Sequence, residues 1–186
     1  MNCVESVRVA HPLFQAERDG STPVSTLQVS DLVFERCDRK YAASLNREWH
    51  SRLPKVEWFP MKFAFHARFE DVTYAVAMWS SPVTNMVPTE WLELRRMACS
   101  PEFPKNGASA FLSWMVRYLK KNSSHPKLIS YQDTAVHRGT IYRAAGWSIG
   151  RTSKTGNWNR PNRFRPDSNG PEIGDSIKTR WEKVIR

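Results

Sequence analysis

Residues 91–121, "WLELRRMACSPEFPKNGASAFLSWMVRYLKK", constrain the fold most, because their period changes partway along. "WLELRRMAC" alternates as a strand does. A loop with two prolines and an Asn-Gly pair follows. An apolar helix is then expected over 108–121, and its closing Lys120 and Lys121 suit the negative end of a helix dipole. This strand–loop–helix unit raises a question about the helix start. A helix N-terminus has unpaired backbone N–H groups and a partial positive charge. The short side chains of Gly107, Ala108 and Ser109, with Lys105 beside them, would let a diphosphate approach the backbone closely. The plainer alternative, and the commoner use of an Asn-Gly pair, is that Asn106 or Gly107 simply caps the helix.

Other segments supply the rest of the layout. "TLQVSDLVF" reads as a first strand. A helix then begins at Asp38, which can cap it, with Tyr41, Leu45 and Trp49 recurring at helical spacing. It ends at "HSRLP", where Pro54 restricts the residue before it. "KFAFHARFE" alternates, with Phe63, Phe65, Ala67 and Phe69 on one face, and "TYAVAMWSS" suits a buried central strand. "KLISYQD" is a strand, "GTIYRAAG" a short helix with Gly146 as its C-terminal cap, and "WSIGRT" a last strand. The order is β-α-β-β-β-α-β-α-β, an α+β fold with a mixed, mostly antiparallel sheet. Two regions are expected: residues 1–151 as a catalytic domain with an irregular N-terminal segment, and residues 152–186 as a basic C-terminal extension.

Composition narrows the function classes. No apolar run is long enough to suggest a membrane span, and the N-terminal stretch lacks a signal-peptide profile. Cys3, Cys37 and Cys99 form neither a disulfide framework nor a tight metal motif, which fits a reducing compartment such as a cytoplasm. The net charge of +10 favours an anionic partner, most simply nucleic acid, with a basic but ordinary soluble enzyme as the alternative.

The element order and "LELRRMACSPEFPKNGASAFLSWMVRYL" resemble the GCN5-related N-acetyltransferase (GNAT) fold. More narrowly, "NREWHSRLP", "AVAMWSSP", "LELRRMACSPEFPKNGAS", "LISYQDTAVHRGTIYRAAGW" and "TRWEKVI" resemble the phage DNA-modification proteins related to Mom. The resemblance covers roughly residues 40–160 and the last few. It implies an enzyme that converts the exocyclic amine of adenine in DNA to a carbamoylmethyl form and so protects that DNA from restriction. It implies acetyl-CoA as cofactor, held by Met97, Ala98, Lys105, Asn106, Gly107, Ala108 and Ser109. It also implies Asp133, His50, Tyr142 and Ser109 as catalytic positions. One departure is visible: Ser51 follows His50 where Mom-like chains often carry Tyr.

Each of these residues also has a bland reading. Asp133 ends a strand, where it can orient or deprotonate an amine or merely start a turn. His50 ends a helix, as a base or ligand or as a dipole-stabilised terminus. Tyr142 can protonate a coenzyme sulfur or be a core aromatic. Ser109 is also a good first-turn residue. Iron has been proposed for Mom, but the His, Cys and Asp residues here have no paired-ligand spacing, so the metal stays unknown.

DNA contact rests on Lys154, Arg160, Arg163 and Arg165, which surround Trp158 and Phe164: phosphate contacts interleaved with stacking platforms. The alternative is a solvated basic tail, and packing on the core is the favoured reading for Trp181. The sequence thus reads as a DNA adenine-modifying enzyme. An N-acetyltransferase of a small amine or peptide, and a non-catalytic DNA-binding protein of the same fold, stand as alternatives.

Overall fold

A computed structural model describes residues 8–9, 27–50, 53–55, 60–84, 86–154 and 177–186. In chain order its elements are β1 (Arg8–Val9), β2 (Val33–Arg36), α1 (Arg39–Trp49), β3 (Met61–Phe69), β4 (Val72–Ser80), β5 (Leu92–Cys99), α2 (Gly107–Asn122), β6 (Lys127–Asp133), α3 (Thr140–Ala144), β7 (Ser148–Lys154) and β8 (Ile177–Val184). The strands form one sheet in the order β2-β3-β4-β5-β6-β8-β7, with β1 beside β4. Two pairings are parallel, β5 with β6 and β1 with β4, and the others are antiparallel. The mixed, mostly antiparallel α+β architecture expected from the sequence is the one observed.

The helices take opposite faces of the sheet. On α2, Phe111, Leu112, Met115, Val116 and Leu119 make one apolar stripe, buried against Phe65, Ala67, Ala75, Ala77 and Trp79. Fully burying each large side chain in that stripe is worth about 1.5–3 kcal/mol. The small alanines of the central strands let the helix approach closely, and Trp79 donates its indole N–H to the Met115 sulfur at 3.2 Å. On the other face, α1 buries Ala42 and Leu45 against Ala64, Val76, Met78 and Ala98. Asp38 caps α1 by accepting from the N–H groups of Lys40 (2.7 Å) and Tyr41 (3.0 Å).

Two irregularities in β5 shape the site. Its pairing with β6 covers only Leu92↔Leu128, Glu93↔Ile129 and Leu94↔Ser130. β5 runs on to Cys99 and β6 to Asp133, so the strands part beyond that point. Against β4, Met78 pairs Arg96 while Trp79 pairs Leu94, which makes Arg95 the extra residue of a β-bulge. The bulge switches the faces of β5. Leu92 and Leu94 before it, and Met97 and Cys99 after it, pack on the α2 side. Ala98 packs on the α1 side, and Arg96, two residues earlier, shares that side.

Two differences from the sequence expectations stand out. Of "TLQVSDLVF", only Val33 and Phe34 enter a strand; Val29–Asp31 is a 3-10 turn, closed by the Asp31 carboxylate accepting the Gln28 N–H at 2.9 Å. No strand is expected after residue 152, yet β8 lies between β6 and β7, so the sheet crosses the boundary placed at residue 151. Trp181 of β8 is 3% exposed and belongs to the core, as favoured from the sequence. Among the described residues no helix is long and apolar enough to cross a membrane.

Candidate active site

The gap between β5 and β6 has one wall on each face of the sheet. On the α2 side, the chain leaves β5 at Cys99 and turns into α2 at Asn106, whose φ of 66° is left-handed. No side chain caps the helix. The Gly107 N–H donates to the Pro104 carbonyl at 2.9 Å, and the first intrahelical bond runs from the Ala110 N–H to the Asn106 carbonyl at 3.0 Å. Among the described residues the N–H groups of Ala108 and Ser109 have no acceptor. They open on a cleft of about 310 Å³ lined by Ser100, Phe103, Asn106, Ser109, Thr140 and Ile141, among others. Ser109 spends its own hydroxyl on the Asn106 carbonyl at 2.9 Å. Gly107 also has a packing duty: a Cβ there would lie 2.8 Å from the Phe103 ring, so the glycine seats that aromatic under the helix start.

The α1 side of the gap is polar. His50 is the C-terminal cap residue of α1. Asn46, fully buried, donates to the carbonyls of Leu53 and Pro54, both at 3.1 Å, and so draws the chain after His50 back onto the helix. The Leu53 N–H donates to His50 Nδ1 at 3.3 Å, which leaves the ring proton on Nε2. Burial, with the positive charge of Arg96 and then of His137, holds His50 down to about 4, so it is neutral near pH 7. Arg96 is itself pushed down to about 10 by burial and by the neighbouring Arg95, and its Nε is buried without a hydrogen-bond partner.

On β6, Ser130 and Gln132 face α3, since Ser130 meets Tyr142 and Gln132 accepts from Trp181. Alternation therefore puts Asp133 on the α1 side. Its Oδ1 accepts the Ala135 N–H at 3.0 Å, and its carbonyl accepts the N–H groups of Val136 and His137 at 3.3 and 3.0 Å. The carboxylate thus starts a turn and, at the same time, stands at the end of β6 where the sheet opens.

Tyr142, in α3, is 8% exposed. It stacks on Trp181 with ring centroids 5.3 Å apart and meets Trp147 edge-on at 5.7 Å, so it is a core aromatic in its contacts. Its hydroxyl nevertheless reaches Ser130 at 2.8 Å, beside the last paired residues of β5 and β6. The bend into α3 needs Gly139 at φ +69°, because a Cβ there would lie 2.5 Å from the Gln132 side-chain oxygen and 2.6 Å from the Trp181 ring.

Of the four expected catalytic residues, Ser109 lines the cleft at the start of α2, Tyr142 reaches Ser130 at the last β5–β6 pairing, and Asp133 at the end of β6 and His50 at the end of α1 lie on the other face. Lys105, Asn106, Gly107, Ala108 and Met97 lie on the α2 side, whereas Ala98 turns to the α1 side. Lys154 ends β7; Trp158, Arg160, Arg163 and Arg165 lie outside the described residues. Among the described residues no group of three or more His, Cys, Asp or Glu side chains is placed to hold a metal. Sequence reasoning missed Arg96 and Ser130. The signal for Arg96 was the Arg-Arg pair interrupting the alternation of β5, which is where the bulge falls.

The Mom protein family model matches residues 31–163, a span that takes in α1, the gap and α3. The chain belongs to the Mom protein family. No curated protein matches it. Among solved structures, an acetyltransferase of the GNAT family from Streptococcus pneumoniae is similar with a TM-score of 0.57 at 12% identity, over 83% of this chain and 99% of that one. The yncA protein of Salmonella typhimurium, solved with its cofactor acetyl-CoA, gives 0.58 at 8% identity over 84% and 95%. The ribosomal-protein-S18-alanine N-acetyltransferase of Escherichia coli gives 0.53 at 12% over 83% and 94%. At such identities the likeness is one of fold, and the fold is that of the GNAT acetyltransferases.

Proposed function

We propose that this Mom-family protein modifies the exocyclic amine of adenine in DNA to a carbamoylmethyl form, with a coenzyme A-type ligand in the gap, and that this protects the DNA from restriction. The observation that carries the reading is the division of the gap. An uncapped helix start lies on one face of the sheet, and Asp133, His50 and Arg96 lie on the other. The residues of the first face fit a diphosphate: the N–H groups of Ala108 and Ser109 donate, and Lys105 and the helix dipole add positive charge. The product requires the nitrogen–carbon bond to form at a methylene carbon as that carbon's bond to a leaving group breaks, and the ligand, when bound, would carry that carbamoylmethyl unit and the leaving group.

The residues of the second face handle the amine. A neutral exocyclic amine is a poor nucleophile, because its lone pair is delocalised into the ring. Asp133 takes or holds its proton as the new carbon–nitrogen bond forms, and such help is typically worth ~10²–10⁴-fold in rate. His50 is unsuited to act as the base, since Nδ1 already accepts from Leu53; its Nε2–H and the Arg96 guanidinium are donors that orient the base. An adenine in duplex DNA must leave the stack to reach this face, at a cost of a few kcal/mol. Stacking on Trp158 or Phe164 offsets that cost, while Lys154, Arg160, Arg163 and Arg165 hold phosphates.

Mass spectrometry of nucleosides from DNA of cells expressing the chain tests the proposal. A carbamoylmethyl-adenine nucleoside is expected. Unmodified adenine, together with acetylation of a small amine by the purified chain, would replace this reading with that of an ordinary N-acetyltransferase.

A further inference from the structure

We propose that Ser130 is a positioning residue for Tyr142: it holds the tyrosine hydroxyl where β5 and β6 part, and it donates to that oxygen when the proton leaves. The inference rests on reading the gap as the ligand's site. Ser130 is 3% exposed and is the last residue of β6 paired with β5. Its Oγ lies 2.8 Å from Tyr142 Oη and 3.4 Å from the carbonyl oxygen of Leu94, its partner across the ladder. A serine hydroxyl has one proton to donate. It can give that proton to Leu94 and accept from Tyr142, or it can turn and donate to Tyr142. Leu94 can only accept. The first arrangement points the tyrosine proton at Ser130 and away from the gap. The second releases it.

The surroundings make this one hydroxyl matter. Tyr142 is enclosed by Trp181 and Trp147. The Trp181 indole N–H is engaged by Gln132 at 2.6 Å, and that of Trp147 is buried without a partner. Among the described residues Ser130 is the hydrogen-bond partner of the tyrosine oxygen. Burial pushes the phenol upward, and the bond from Ser130 draws it back. In the step itself the bond between the ligand's sulfur and the carbon it delivers would break as the amine nitrogen bonds that carbon, and the Tyr142 O–H would give its proton to the departing sulfur. The Ser130 proton stays on Oγ, turned to the phenolate.

The test uses the full chain carrying fluorotyrosine, with Tyr142 assigned in the fluorine NMR spectrum by its loss in Tyr142→Phe. Ser130→Ala should move the Tyr142 titration to higher pH, and Ser130→Thr should restore it; should the alanine variant not fold, Ser130→Cys serves, with a weaker donor in a similar volume. Turnover should fall by at least about tenfold in Ser130→Ala, while acetyl-CoA affinity by calorimetry stays within about threefold. An unmoved titration, or a threonine variant that behaves like alanine, overturns the proposal. A wild-type chain that binds no acetyl-CoA overturns the reading of the gap instead, and the NMR titration still decides whether Ser130 governs the Tyr142 proton.

Discussion

The two faces of the sheet at the β5–β6 gap are built from different materials. The α2 side works through backbone: an uncapped helix start, small residues, and Gly107 seating Phe103 beneath them. The α1 side works through titratable side chains held by burial and hydrogen bonds, with His50 kept neutral beside a half-buried Arg96 and Asp133 fixed at a strand end. A backbone site recognises what its ligands share, whereas a side-chain site can be altered one residue at a time. At 8–12% identity this Mom-family chain shares the fold of the GNAT acetyltransferases, and in the proposed function its α1 side serves a different acceptor.

The comparison breaks first at Asp133. Asp133→Asn keeps an oxygen for the Ala135 N–H, so the turn survives while the charge is lost. Modified adenine should fall by ~10²–10⁴-fold in the nucleosides of expressing cells, with DNA affinity unchanged. Near-wild-type modification would take the base away from the α1 side.

DNA affinity gives the next effect. Its log–log dependence on salt should be steep, at about −0.9 per phosphate contact, and replacing Arg160, Arg163 and Arg165 with Ala should flatten it by up to about 2.7. An unchanged slope would return 154–165 to a solvated tail.

The mildest effect sharpens the electrostatics. Arg96→Gln should raise the His50 titration from about 4 toward its ordinary 6.5, read by NMR, since a positive neighbour is removed and burial remains. The sign for stability follows from the lowered value. The unfolded chain binds the proton near pH 6.5 and the folded chain near 4. His50 therefore costs stability progressively as pH falls between those values, and Arg96→Gln should narrow that window.

Much of this frame was legible in the chain. The alternation of Phe63, Phe65 and Ala67, the cap at Asp38 and the stripe of α2 are local periods that packing reinforces rather than overrides. The gap itself was not legible, because a strand shows no sign of where its neighbour departs. Arg96 was hidden for a related reason. Strict alternation puts it with Leu92 and Leu94 against α2, and only the bulge at Arg95, set by pairing with β4, turns it to the α1 side. β8 escaped because its neighbours β6 and β7 lie far back in sequence, and "IKTRWEKV" exposes or pairs most of its charges instead of burying an apolar run.

The most direct test of the two-sided account is a calorimetric titration of acetyl-CoA into Gly107→Glu and Asp133→Asn, side by side with the wild type. Gly107→Glu places a carboxylate where the helix start should meet a diphosphate and displaces Phe103. It should abolish binding, whereas Asp133→Asn should bind as the wild type does. Equal binding by all three chains, or loss in both variants, would contradict the division of the gap into a backbone face for the ligand and a side-chain face for the amine.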